Sequence, residues 1–204
     1  MAAADLARDD RTAAERGAGL VVADEPGQGP RPPTGRTGGR RGRTPVVRVT
    51  ARNGPRLSPA APVATQPGRR PRLLYRTPPG GRRTGLTEAD HARLLDAAHR
   101  QLGGPLVVVW DTLNTHVSAA MAELVAARPW PAVHRPPPYA HELNPVEPVW
   151  SHLKRSLANL ATHTIAELTA VVKTRLKRMQ YRPGLLAGLL AGTGLDFSPG
   201  NPHP

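Results

Sequence analysis

The 204-residue chain has no cysteine. Disulfides and thiolate metal sites are therefore excluded. No apolar run reaches the roughly 18 residues that a membrane span needs. The opening "MAAADLARDDRTAAERGAG" contains no apolar core of a secretory signal. Lysine is also scarce, at only Lys154, Lys173 and Lys177. Acids are missing altogether from residues 31–83, a stretch that holds fourteen Arg. These absences point to a soluble intracellular protein, with no membrane partner, whose positive charge is carried by Arg.

What is present follows from that imbalance. Lys+Arg number 28 against 15 Asp+Glu, a net charge of +13. Such a surface attracts polyanions, nucleic acid first among them. Arg suits phosphate because its planar fork can bond two oxygens at once. A length of 204 residues is enough for one ordinary domain around a single core.

Hydrophobic periodicity orders the rest. "GLVVADE" (19–25) is a short apolar run that ends on two acids. "TPVVRVTAR" and "PRLLYRT" read as short strands broken by turns within the basic stretch. "LTEADHARLLDAAHRQLGG" reads as a helix, with Thr87 as N-cap, Asp90 three residues on, and Gly103 and Gly104 as the stop. "PLVVVWD" (105–111) fits a strand buried on both faces. "THVSAAMAELVAAR" reads as one helix with Val117, Met121, Leu124 and Val125 on a shared face. A short strand and a Pro-rich loop follow. Asn144, Pro145 and Glu147 then open a helix as N-cap, N1 and N3. Its stripe is Val146, Val149, Trp150, Leu153, Leu157 and Leu160. A last amphipathic helix starts at Thr164, with Glu167 three on and Ile165, Leu168, Val172 and Leu176 along one side. This order predicts an α/β or α+β layout with a mixed sheet.

Three carboxylates stand at places where such sheets hold ligands. Asp24 and Asp111 each end an apolar strand, and Glu147 lies in a helix's first turn. Each has a plain structural role open to it. Asp111 can cap a turn, and Glu147 can bond back to the Asn144 N–H as part of a capping box. As a set, three oxygen donors suit Mg²⁺-like cations. Two such ions can stabilise the attacking and leaving oxygens of a displacement at phosphorus. His116, five residues after Asp111, is more often a structural hydrogen-bonding group than a catalyst. The eight His show no zinc-type ligand spacing, so a His-based metal site is not expected.

"VVVWDTLNTHVS" and "PPPYAHELNPVEPVWSHLKRSLANL" resemble the second half of the catalytic domain of DDE-superfamily transposases. The nearest group is the bacterial insertion-sequence branch related to mariner elements. Thirty-five residues separate Asp111 from Glu147, close to that group's spacing. "VVADEPGQGPRPPTGRTGGRRGRTPVVRVT", "GRRPRLLYRT" and "LTEADHARLLDAAHRQLGGP" extend the resemblance over about residues 19–160.

The resemblance implies an RNase H-like fold, a mixed five-stranded sheet flanked by helices, over residues 19–182. Residues 1–18 would be poorly structured, and 183–204 a short helix with a loose tail. It implies a metal-dependent endonuclease and strand-transferase in which Asp24, Asp111 and Glu147 bind two Mg²⁺ or Mn²⁺. DNA, as transposon ends and target, would be held by Arg36, Arg40, Arg41, Arg43, His116, Lys154 and Arg155. The resemblance also implies a homodimer and a bacterial cytoplasmic, nucleoid-associated setting. No helix-turn-helix pattern precedes residue 19, so a truncated copy holding the catalytic domain alone is expected. Thr112 and Gly38 stand where the family has Asn and an aromatic residue. Pro59 and Pro62 fall where a strand is expected. A second reading therefore stays open: an inactive remnant that binds DNA non-specifically through its Arg-rich segment.

Overall fold

The computed structural model describes residues 17–25, 33, 35–36, 38–43, 46, 56–79, 85–110, 113–135, 144, 146–160, 162 and 164–191. Five strands form one sheet: β1 (Gly19–Ala23), β2 (Val63–Thr65), β3 (Arg72–Leu73), β4 (Leu106–Trp110) and β5 (Pro131–His134). The spatial order is β3-β2-β1-β4-β5. β1, β4 and β5 run parallel, while β2 and β3 are antiparallel additions on the other side of β1. The mixed five-stranded sheet expected from the sequence is therefore present.

The central pair explains the layering. Every residue of β1 and of β4 is buried. Side chains alternate along a strand, so each strand feeds two cores. Leu20, Val22, Val107 and Val109 join one apolar cluster, and Val21, Ala23, Val108 and Trp110 join the other. Helix α1 (Glu88–Leu102) covers the second side with Leu94, Leu95, Ala98 and Leu102, joined by Met121. Helices α4 (Glu147–Ser156), α5 (Ile165–Gln180) and α6 (Pro183–Leu190) supply the first side. In α6, Leu186 and Leu190 are fully buried in that same cluster, so this helix is packed with the sheet. No helix among the described residues is long and apolar enough to cross a membrane.

Local chemistry sets several boundaries as expected. Thr87 and Asp90 form a reciprocal capping box at the start of α1, and Gly103 ends it in the left-handed region at φ 74°. Thr164 caps α5 by accepting from the Glu167 N–H at 3.1 Å.

Three expectations change. The single helix predicted over 115–128 is two, α2 (Asn114–Val117) and α3 (Ala119–Ala126). Ser118 sits between them in extended conformation, and its hydroxyl accepts from the Met121 N–H. Ser competes well for backbone donors, so it starts a new helix and turns Val117 to solvent at 45 % exposure, while Met121 stays buried. The predicted helix at Asn144 begins later, at Glu147, which places Glu147 at the first helical position. Asn144 still acts as a start signal, because its Oδ1 accepts from the Val146 N–H at 3.0 Å. The helix also ends early, although Leu157 and Leu160 of the predicted stripe still pack on the same cluster. The chain leaves α4 after Ser156, and Asn159 adopts φ 59°.

Pro59 and Pro62 do not break the sheet. β2 begins at Val63, immediately after Pro62, so both prolines precede the strand. The Leu74 N–H donates to the Pro62 carbonyl at 3.0 Å, and Ala60 bridges Arg76 beyond it. "TPVVRVTAR" lies almost wholly outside the described residues; of it, Val46 is 83 % exposed.

Candidate active site

The parallel pairing of β1 and β4 aligns Ala23 with Trp110. Asp24 directly follows the first of these and Asp111 the second in sequence. In-register parallel strands end together, so the carboxyl ends of both central strands share one edge of the sheet. Asp24 is partly buried, and its Oδ1 accepts from the Glu25 N–H at 2.9 Å. Asp111 and Thr112 lie outside the described residues.

Glu147 is the first residue of α4. Val146, Val149, Trp150 and Leu153 are buried in the same cluster as Val22 and Val109, near the ends of β1 and β4. The Glu147 N–H donates to the Asn144 carbonyl at 3.0 Å. Its side chain is 53 % exposed, and Oε1 lies 3.8 Å from Lys154 Nζ. The helix thus anchors its apolar stripe and leaves the acid at solvent, open to a ligand. Carboxylate oxygens of the kind Asp24 and Glu147 offer suit a hard divalent cation.

The basic residues divide. Arg36, Arg40, Arg41, Arg43 and Arg155 are exposed, and Lys154 is half-buried beside Glu147. The Arg-rich segment is tied to the end of α4 through Asn159. The Asn159 N–H donates to the Pro33 carbonyl at 3.0 Å, Asn159 Nδ2 to the Gly35 carbonyl at 2.8 Å, and the Gly35 N–H to Asn159 Oδ1 at 3.2 Å. A Cβ at Gly35 would lie 2.7 Å from Ala158 Cβ, so the close approach needs glycine there. Arg36 is thereby held next to the helix that carries Lys154 and Arg155.

His116 departs from its expected part as a DNA contact. It is 1 % exposed, too deep to touch a phosphate. Its ring stacks on Trp110, with centroids 4.7 Å apart at 6°, and meets His91 edge-on at 4.7 Å. His91, on α1, lies with Nε2 2.5 Å from Glu25 Oε1. Glu25, His91 and His116 therefore bring three ligand atoms within 4.8 Å of one another. The His spacing along the chain offers no sign of this grouping. The three residues come from three elements and are separated by 66 and 25 positions, so no local spacing could reveal them. The one available signal was that each is a polar residue set in or beside an apolar segment.

Comparison with known proteins agrees with this architecture. The family described as DDE superfamily endonuclease matches residues 19–169. The chain belongs to that family. Its fold is similar to that of a structure entitled "Mos1 transposase paired-end complex with left transposon end", with a TM-score of 0.57 at 13 % identity. That match covers 97 % of this chain and 61 % of the other, so the chain spans about three fifths of the length of that relative. "Crystal structure of the Mos1 mariner paired end complex with Mn" aligns with a TM-score of 0.53 at 13 % identity, over 97 % of this chain and 62 % of that one. "Crystal structure of the catalytic domain of Mos1 mariner transposase" aligns with a TM-score of 0.50 at 14 % identity, over 97 % of this chain and 92 % of that one. No match was found among curated protein sequences. The fold is thus RNase H-like, as the sequence resemblance implied.

Proposed function

We propose that this chain is the catalytic core of a DNA transposase, which cuts DNA at phosphodiester bonds and joins the freed end to a target. The observation that carries the reading is the in-register end of β1 and β4. Asp24 and Asp111 directly follow these two neighbouring strands in sequence. Glu147, exposed at the start of α4, is the third acid.

The three carboxylates are the ligands for two Mg²⁺ or Mn²⁺. Bound there, the ions would lower the pKa of the attacking water or 3′-OH and neutralise charge on the phosphate. Around them, Arg36, Arg40, Arg41 and Arg43 gather the DNA backbone, with Lys154 and Arg155 on the adjoining helix. The Asn159 tie keeps these two groups side by side. Lys154 screens the Glu147 carboxylate until a cation takes its place. DNA ends and target DNA are the substrates, and two copies acting together would suit paired ends. Residues 19–182 hold the sheet and the covering helices α1, α4 and α5, with α6 completing the core. The setting is a bacterial nucleoid.

Supercoiled plasmid tests this reading. Wild-type protein should nick it in Mg²⁺ or Mn²⁺, and Asp111→Ala and Glu147→Gln should reduce nicking to the level without metal. DNA binding without metal-dependent cleavage above those variants would leave only the Arg-rich binding remnant.

A further inference from the structure

We propose that Glu25, His91 and His116 form a second metal site, for a zinc-type ion, apart from the three catalytic acids. Their ligand atoms lie within 4.8 Å of one another. Two imidazoles and a carboxylate are a zinc donor set, and imidazole also suits neighbouring transition metals. Mg²⁺, which prefers oxygen throughout, has little reason to choose it.

Burial makes the argument stronger. The Glu25 and His91 side chains are 8 % and 4 % exposed, and His116 as a residue is 1 %. Buried polar atoms are nearly always hydrogen-bonded. Among the described residues, Glu25 Oε1 and His91 Nε2 nevertheless have no partner that meets hydrogen-bond geometry. They face each other at 2.5 Å, closer than the about 2.7–2.9 Å of a charge-assisted N–H···O bond. A tetrahedral zinc ion would hold such ligand atoms about 3.3 Å apart. Trp110 already fixes the plane of the His116 ring by stacking on it.

The site would pin three elements together. Glu25 follows β1, His91 lies on α1 and His116 on α2. Asp24, next to Glu25 in sequence, directly follows β1, and Trp110, which stacks on His116, is the last residue of β4. The ion is therefore structural, bound as the domain closes, and it stiffens the edge on which the acids stand. This inference does not depend on the transposase reading, because neither Asp111 nor Glu147 is a ligand.

The test is metal binding by the purified full chain, stripped and then given Zn²⁺ or Mg²⁺. Wild-type protein should take up one Zn²⁺ and gain about 5–10 °C in Tm at a hundredfold excess over Kd. Mg²⁺ at the same concentration should give no comparable rise. His91→Gln should lose the zinc response, and Glu147→Gln should keep it. X-ray absorption of zinc-loaded wild type should show two imidazole nitrogens, which answers the question even where His91→Gln fails to fold. The proposal is overturned by folded wild type without stoichiometric zinc, by an all-oxygen shell, or by loss of the response in Glu147→Gln.

Discussion

Glu147 fills two parts at once. It takes the first position of α4, where a negative charge is favourable against the helix dipole. It is also exposed enough to accept a ligand. The motif that contains it was legible because the spacing to Asp111 is linear in the sequence. His116 was not, because its place depends on Trp110 and His91, which only the fold brings near. A different pair shows how far one contact can be read energetically. Arg128 Nε and Nη2 donate to Asp96 at 2.7 and 2.9 Å. That bonding holds the Asp96 carboxyl below its usual range, against the opposing effect of burial. A depressed carboxylate contributes stability that is present above its unfolded value of about 4 and lost as pH falls through the folded value. Asp96→Asn should therefore cost about 1–2 kcal/mol at neutral pH. The gap from wild type should close in urea titrations repeated below about pH 4; a gap of constant size would assign the loss to something other than charge.

At the scale of elements, helices with strong caps were predictable and their interruptions were not. Thr87 with Asp90, and Thr164 with Glu167, are caps written in the order the chain presents them. Ser118 has the same chemistry, but it stands inside an apolar pattern that reads as continuous. The structure shows its hydroxyl at the start of α3. Ser118→Ala should lower stability by about 1 kcal/mol in chemical denaturation, and an unchanged midpoint would mean that this cap is idle. Pro62 teaches the reverse lesson. A proline near a strand warned of disruption, whereas the strand simply starts one residue later. Asn159 joins two elements far apart in sequence. Asn159→Gly keeps the left-handed backbone available but removes both side-chain bonds to Gly35. DNA affinity should fall roughly threefold to tenfold, with little change in Tm. Equal binding by wild type and variant would detach the Arg-rich segment from the DNA surface.

For the whole molecule, charge and layering were the readable features. A net charge of +13 pointed to a polyanion, and two fully apolar strand runs pointed to a sheet covered on both faces. Which helix covers which face was not readable, because it depends on the alternation along β1 and β4. If four exposed arginines each neutralise a phosphate, they should set the salt dependence of binding. Replacing Arg36, Arg40, Arg41 and Arg43 together by Ala should flatten the slope of log K against log salt by about 3–4. An unchanged slope would place the DNA elsewhere on the surface. The central claim is that the edge formed by β1 and β4, with α4, carries one metal-dependent nuclease centre that includes Asp24. The initial rate of Mn²⁺-dependent nicking should be compared for wild type and Asp24→Asn at concentrations that bind DNA equally. The account predicts a clear rate for wild type and none above the metal-free control for the variant; equal rates would contradict it.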